Sequence, residues 1–418
     1  MNENNIIAER KEKIGYIQVL RNHDFFALWL GNLISVLGND FHFIALLWLV
    51  NQLTKSTLSV GIVMTCTFLP SLFFGLFAGV FVDMWNRKTT MIICDIIRAI
   101  LVLLIPILYY SGLLQFWNIC VIVFIISFFN IFHESANRSI IPNLVRPEEL
   151  VTANSISEVS FQLTNIFGSA LAGILISIIG TVNIFFIDSF SYLISALMIF
   201  TIRFAGLQLD IRLEGVKDIL ARVWEGLKTI KANTIILTLL IMMAIMNFAL
   251  GPFNVLTPRL SEEVLKAGST GLGFIMSAFS VGMLIGALLI GSLGKRIPVG
   301  KTITLGVLIS GFFFSIFALS KNISNSLILA AIFGFSFAAP KVYGITIIQN
   351  LVPDSIRGRI FSIQMLLANI MFPLSFLLSG WLGEKIAVSW ILFGCGILMI
   401  ANGIYGYSVK KLREIKGV

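Results

Sequence analysis

Apolar residues run along this chain in blocks of about twenty, divided by short segments that gather most of its charge, Pro and Gly. A helical block of that length, rising about 1.5 Å per residue, spans the roughly 30 Å hydrocarbon core of a bilayer. Twelve blocks are read, near residues 25–50, 58–82, 89–110, 116–138, 152–179 and 182–202, then 234–257, 270–293, 302–320, 325–348, 360–383 and 388–408. They predict an all-α membrane protein with twelve transmembrane helices in two six-helix, pseudo-symmetric bundles. Residues 1–24 are expected to be a cytosolic leader, and 25–202 and 234–408 the two bundles. Residues 203–233 are then a basic cytosolic linker and 409–418 a cytosolic tail. From Val216 to Ile230 the linker keeps helical spacing of apolar residues, which suits a helix lying on the membrane surface.

Composition supports the membrane reading. Of 418 residues, 57% are hydrophobic and 12% charged. A soluble chain of this size carries about twice that charged fraction. The net charge of +9 does not point to nucleic acid, because the basic residues lie in the short segments between apolar blocks. Twenty-three of the 30 Lys and Arg fall on the side that holds both termini, five fall on the other, and Arg98 and Lys341 lie within spans. Basic segments stay cytoplasmic, so both termini are expected there. The leader holds eight charged residues before Phe25 and no long apolar run, unlike a cleavable signal peptide. No GxxxxGK[ST] loop is present, which argues against ATP-driven transport in this chain. Cys66, Cys94, Cys120 and Cys395 lie in apolar spans with no close spacing, so neither a disulfide framework nor a metal site is expected.

The halves share a signal. Ile140-Ile-Pro-Asn-Leu-Val145 after span four and Ile347-Ile-Gln-Asn-Leu-Val352 after span ten superimpose on a shift of 207 residues. Parallel six-helix repeats with a substrate site between them are a known transporter design. In span eight, Gly273, Ser277 and Ser280 on one face and Gly282 and Gly286 on another predict close helix packing.

After span two the chain reads Gly79-Val-Phe-Val-Asp83-Met-Trp-Asn-Arg87-Lys88. This resembles the Gly-x-x-x-Asp-Arg-x-Gly-Arg-Arg/Lys signature of the major facilitator superfamily, with Met84 and Asn86 departing from it. The equivalent stretch of the second half, Gly291-Ser-Leu-Gly-Lys295-Arg296, keeps the basic pair without the acid. Leu30 to Gly38, Asp95-Ile-Ile-Arg98-Ala99, Phe132-His-Glu-Ser-Ala136 with Pro142, and Arg357-Gly-Arg359 are similar to the macrolide-efflux-like branch of drug:proton antiporters. Two features of many antiporters are missing. No arginine lies between Val123 and Phe129, and Gly168-Ser-Ala-Leu-Ala-Gly173 lacks the usual proline. The resemblance gives Gly79, Asp83, Arg87 and Lys88 a conformational gating role, with Arg138 as the expected partner of Asp83. It also places span three at the bundle periphery, so Asp95 and Arg98 are expected to be a structural ion pair away from the cavity.

Charge inside hydrocarbon is costly and needs a partner, a cavity or a role. The intramembrane acids Asp40, Asp95, Glu134, Glu158 and Asp188 all lie in the first half, and the second half has only Lys341. Ser155, Glu158, Gln162, Asn165 and Ser169 form one stripe on span five, and Ser127, Asn130, Glu134 and Asn137 form another on span four. Such stripes face protein or water and never lipid. Ser and Asn there suit interhelical hydrogen bonding, whereas two carboxylates favour a water-accessible cavity. Glu158, Glu134 and Asp40 are therefore the proton-coupling candidates. Asn32, Ser35, Asn130, Gln162, Asn165, Asn247 and Lys341 are the substrate-cavity candidates, Lys341 beside the helix-bending Pro340 serving equally as a gate or a snorkelling cation. Asp188 reads as structural. No catalytic residue, cofactor or metal is called for.

The expected activity is export of a bulky amphipathic small molecule, of antibiotic or drug type, by proton antiport and alternating access. Export of an endogenous metabolite such as a siderophore or peptide antibiotic, and handling or flipping of lysophospholipids, are the alternatives. The expected partners are the substrate, protons and the bilayer, with a monomer in a bacterial inner or plasma membrane.

Overall fold

The computed structural model describes residues 16–203, 230–231, 233–293, 298–352 and 354–415, without the side chains of residues 76, 79, 80, 83, 291–293, 354–359, 361 and 362. Six long helices come from the first half of the chain: α1 (His23–Thr54), α2 (Thr57–Met84), α3 (Arg87–Tyr110), α4 (Phe116–Leu144), α5 (Leu150–Ile179) and α6 (Ile184–Phe200). Six follow from the second: α7 (Thr234–Arg259), α8 (Gly268–Leu293), α9 (Val299–Leu319), α10 (Ile323–Leu351), α11 (Asp354–Gly383) and α12 (Val388–Ser408). Eleven are long and apolar enough to cross a membrane, and α6 is an apolar helix of 17 residues. The surface helix expected over 216–230 lies, but for Ile230, outside the described residues, as do the basic pair Lys295 and Arg296 and the side chains of Arg357 and Arg359.

Short polar segments start the helices because Asn and Ser side chains accept the first free backbone N–H groups. Asn22 caps α1, Ser56 α2, Asn86 α3, Asn233 α7 and Asn322 α10. Outward-facing positions such as Ile100, Trp117, Phe190, Leu288 and Trp390 are exposed and apolar. That exterior suits lipid, where no water is available to satisfy polar groups.

The helices pack in the same order in both halves. In the first, α1 lies on α6, α6 on α3, α3 on α4 and α4 on α2; in the second, α7 lies on α12, α12 on α9, α9 on α10 and α10 on α8. Two seams join the halves, α2 against α11 and α5 against α8, and the repeat exchanges one for the other. The offset of 207 residues reappears in the helix bounds: α4 runs from Phe116 to Leu144 and α10 from Ile323 to Leu351.

The two interiors differ in chemistry. The second half is filled by phenylalanine, with Phe253, Phe279, Phe314, Phe317, Phe333 and Phe337 in mutual ring contact and Phe314 stacked on Phe333 at 4.6 Å. Among the described residues, the buried Asp, Glu, Arg and His side chains, which are Arg87, Asp95, Arg98, His133, Glu149 and Asp188, all belong to the first half. The small residues of α8 permit the expected close contacts: Gly273 meets Gly173 of α5, and Gly282 and Gly286 lie on the backbone of α10. Cys66 of α2 and Cys120 of α4, far apart in sequence, come into side-chain contact because those helices pack side by side.

Candidate functional site

Within the first half, α1, α3, α4 and α5 enclose a cavity of about 460 Å³. Arg138, Ile141 and Asn154 sit at its mouth, near the ends of α4 and α5 on the face that carries the termini, and Val36, Asn39 and Thr164 lie deeper. Trp29 and Phe161 give it aromatic walls, and the Trp29 indole donates to Ser160 at 2.9 Å.

Three of the sequence-read cavity residues line it: Asn32, Ser35 and Asn130. The Asn32 amide donates to Asn137 at 2.7 Å, joining α1 to α4. The buried Ser35 hydroxyl donates to its own helix, at the Asn32 carbonyl (3.2 Å). Asn130 accepts from Arg98 at 2.7 Å. Gln162 stands beside the cavity, where its amide donates to Glu158 at 3.0 Å. Asn165 on α5 and Asn247 on α7 are half-buried outside the lining, and Lys341 is exposed with no ion pair among the described residues. The lining comes wholly from the first half because the halves meet elsewhere, along the α2/α11 and α5/α8 seams.

Glu134 and Glu158 both line the cavity, in different company. Arg138, one turn on, neutralises Glu134 at 2.9 Å. Among the described residues, Glu158 has only the neutral amide of Gln162. Asp40 lies further along α1, packed against Gly168 of α5: a Cβ on that glycine would come within 2.7 Å of the carboxylate. The Asp40 Oδ2 atom is buried with no hydrogen-bond partner among the described residues.

Beneath the cavity lies a polar network that sequence spacing did not reveal. Arg98 and Asp95 form an ion pair, and both are almost completely buried. His133 Nε2 lies 3.3 Å from the same Asp95 oxygen, and the Arg98 guanidinium sits 4.3 Å from the centre of the Tyr192 ring. The Tyr192 hydroxyl donates to Asn39, and Asp188 pairs with His42 at 2.9 Å. Arg98 and His133 reach the cavity wall, so the pair does not stand apart from it as expected of a peripheral helix. The cause is side-chain length: α3 is backed by α4 and α6, and Arg98 is long enough to pass between them. His133 escaped notice because it follows one residue before Glu134, about 100° away on the helix and off the polar stripe.

Of the gating residues, Gly79 and Asp83 have side-chain positions outside the described residues. Arg87 donates to the Ser139 carbonyl and to Asn143, each at 2.8 Å, and Lys88 donates to the Ile202 carbonyl at 2.5 Å. Arg87 and Lys88 thus tie the start of α3 to α4 and to the end of α6. Arg138 is engaged with Glu134.

The face opposite the termini is closed. Among the described residues, the hydrogen bonds between the halves run from the middle of the molecule to that face, joining Ile166 to Ser277 near the mid-plane and, further out, Thr65 to Pro373, Gly173 to Ser269 and Thr270, Asn51 to Glu262, and Ser56, Thr57 and Leu58 to the loop at Glu384 and Gly380. The molecule therefore has a polar cavity near the terminus-side face and a sealed far face.

Residues 15–417 match a family model described as transmembrane secretion effector. The chain is 25% identical over 395 residues to macrolide efflux protein A of Streptococcus pyogenes, covering 94% of this chain and 97% of that one. It is 26% identical over 384 residues to the multidrug efflux pump Tap of Mycolicibacterium fortuitum, covering 90% and 93%. Among solved structures, the nucleoside transporter NupG superimposes with a TM-score of 0.74 at 12% identity, covering 92% of this chain and 98% of that one. A bacterial homologue of the iron transporter ferroportin in an inward-facing state gives 0.74 at 15% identity, covering 93% and 99%.

Proposed function

The chain belongs to the transmembrane secretion effector family of the major facilitator superfamily, and from that premise we propose that it is a bacterial efflux transporter that exports an amphipathic small molecule in exchange for protons. The carrying observation is a polar, carboxylate-bearing cavity in the first half, on the terminus side of the molecule, while hydrogen bonds between described residues join the halves from the mid-plane to the opposite face. With the termini in the cytoplasm, the side that the basic residues favour, this is the state that loads substrate from inside. Rocking of the halves about the two seams then exposes the cavity outside. The relatives named as macrolide and multidrug efflux proteins support export and a drug-like substrate. Trp29 and Phe161 offer flat apolar surface to such a molecule, and the asparagines of α1 and α4 offer hydrogen bonds.

Glu158 is the leading proton carrier. Arg138 already compensates Glu134, so a proton arriving there competes with a cation, whereas Glu158 has only an amide to satisfy it. A cationic substrate and a proton would then compete for one carboxylate, which is the linkage that exchange requires. Asp40, half-buried further along α1 with no ion pair among the described residues, is the second acid on the route. The test uses proteoliposomes and a fluorescent drug substrate. Glu158→Gln should abolish uphill efflux driven by a pH gradient while keeping downhill exchange and substrate binding. Full gradient-driven transport in the Glu134→Gln/Glu158→Gln double variant would remove both as carriers.

A further inference from the structure

The gating signature at the end of α2 has a counterpart at the other end of the same seam, which the sequence signature does not mark. Glu384 follows the last residue of α11, in the second half, and reaches across to the start of α2 in the first. Its Oε1 accepts from the backbone N–H of Leu58 at 3.0 Å and from the Ser56 hydroxyl at 2.8 Å. The Thr57 hydroxyl lies between that oxygen, at 3.2 Å, and the Gly380 carbonyl, at 2.8 Å. Ser56 is also the N-cap of α2, accepting from Ser59 N–H at 3.1 Å. A carboxylate from one half thus closes onto the free N–H groups and the positive dipole end of a helix in the other. The backbones beneath it touch: a Cβ on Gly61 would lie 2.4 Å from the Phe376 carbonyl oxygen, and one on Gly380 would lie 2.7 Å from that of Thr57.

We infer that Glu384 is a positioning residue that latches the far face shut, and that transport requires this carboxylate to leave the α2 N-terminus in each cycle. This rests on the alternating-access reading but needs neither the substrate nor the coupling ion. Glu384 is exposed to far-side water. Burial alone would raise its pKa, but the donors from Leu58, Ser56 and Thr57, with the nearby Arg259 charge, hold the carboxyl below the usual glutamate value. A depressed value means that the latch is intact above the pH at which the released carboxyl titrates and weakens as far-side pH falls through the latched value. The latch therefore holds at neutral pH and loosens progressively as the pH falls from the ordinary glutamate range through the latched value. The other charges of this corner are Arg259, bound to Glu263 at 2.9 Å, Glu262, which accepts from Asn51 at 2.5 Å, Lys385, lying over the Trp381 ring, and Lys55, beside Ser56.

The test is a pulsed electron–electron distance measurement in nanodiscs, without substrate, between spin labels on Leu113→Cys and Lys321→Cys in a background lacking the four native cysteines. These positions lie on far-face loops of the two halves. At pH 7, Glu384→Gln should raise the far-face-open fraction about tenfold, the loss expected for a charge-assisted hydrogen-bond set, and Glu384→Asp should recover part of it. The original chain should open as pH is lowered from 7 to 4, and Glu384→Gln should lose most of that response, leaving only what Glu262 and Glu263 contribute. An open fraction and a pH response in Glu384→Gln equal to those of the original chain would overturn the latch. Failure of proton-driven transport in liposomes would leave this result untouched, so the two readings fail separately.

Discussion

Arg98 shows how one side chain changes the reading of a helix. From sequence it is one member of an i,i+3 pair with Asp95, sufficient to neutralise charge within α3. In the fold it also bonds Asn130 of α4 and packs on Tyr192 of α6, so three helices converge on one guanidinium. Breaking a buried pair leaves an uncompensated charge, typically at a cost of about 3–5 kcal/mol. Asp95→Asn should therefore lower thermal stability strongly in detergent. The Asp95→Asn/Arg98→Gln double variant should recover much of the loss, because no charge is then left stranded. A double variant no more stable than the single would show that packing around Arg98, and not its charge, is what matters.

At the scale of the element, glycine positions separate close packing from open surface. A Cβ at Gly282 of α8 would lie 1.8 Å from the Ala331 carbonyl oxygen of α10, a backbone atom that cannot move alone. A Cβ at Gly75 of α2 would meet nothing within 4 Å. Gly282→Ala should force α8 and α10 apart and cost about 1–3 kcal/mol. Gly75→Ala should be neutral or gain up to about 1 kcal/mol from helix propensity. Comparing the thermal unfolding of the two variants tests the packing directly. The periodicity of small residues announced the faces of α8, and only their neighbours show that one meets α5 and the other α10.

For the whole molecule, the orientation proposed from the basic residues makes a separate prediction. Single cysteines at Leu113 and Lys321 should react with impermeant maleimide added outside intact cells, whereas Arg146 and Glu148 replaced by Cys should react only after permeabilisation. Reversed labelling would invert the cycle, and the sealed face would then be cytoplasmic. Alternating access also predicts that the far-face contact of Thr57 with Gly380 and the mid-plane contact of Ser277 with Ile166 break and re-form during turnover.

Apolar block length alone determined that the chain is a bundle of twelve membrane helices, because a bilayer leaves a segment of some twenty apolar residues no other stable conformation. The 207-residue echo between Ile140–Val145 and Ile347–Val352 already carried the repeat, and the placement of acids already assigned the polar interior to the first half. Tertiary structure decided which polar groups meet. Glu134 and Glu158 look equivalent along their stripes, yet one is held by Arg138 and the other by Gln162. His133 joins Asp95 across two helices, Cys66 reaches Cys120, and Glu384, an unremarked acid in a loop, lands on α2 from the other half. Periodicity gives the face of a helix, and so what it must avoid. The partner across that face depends on how the helices rotate and slide against one another, which the summed packing of the whole chain settles.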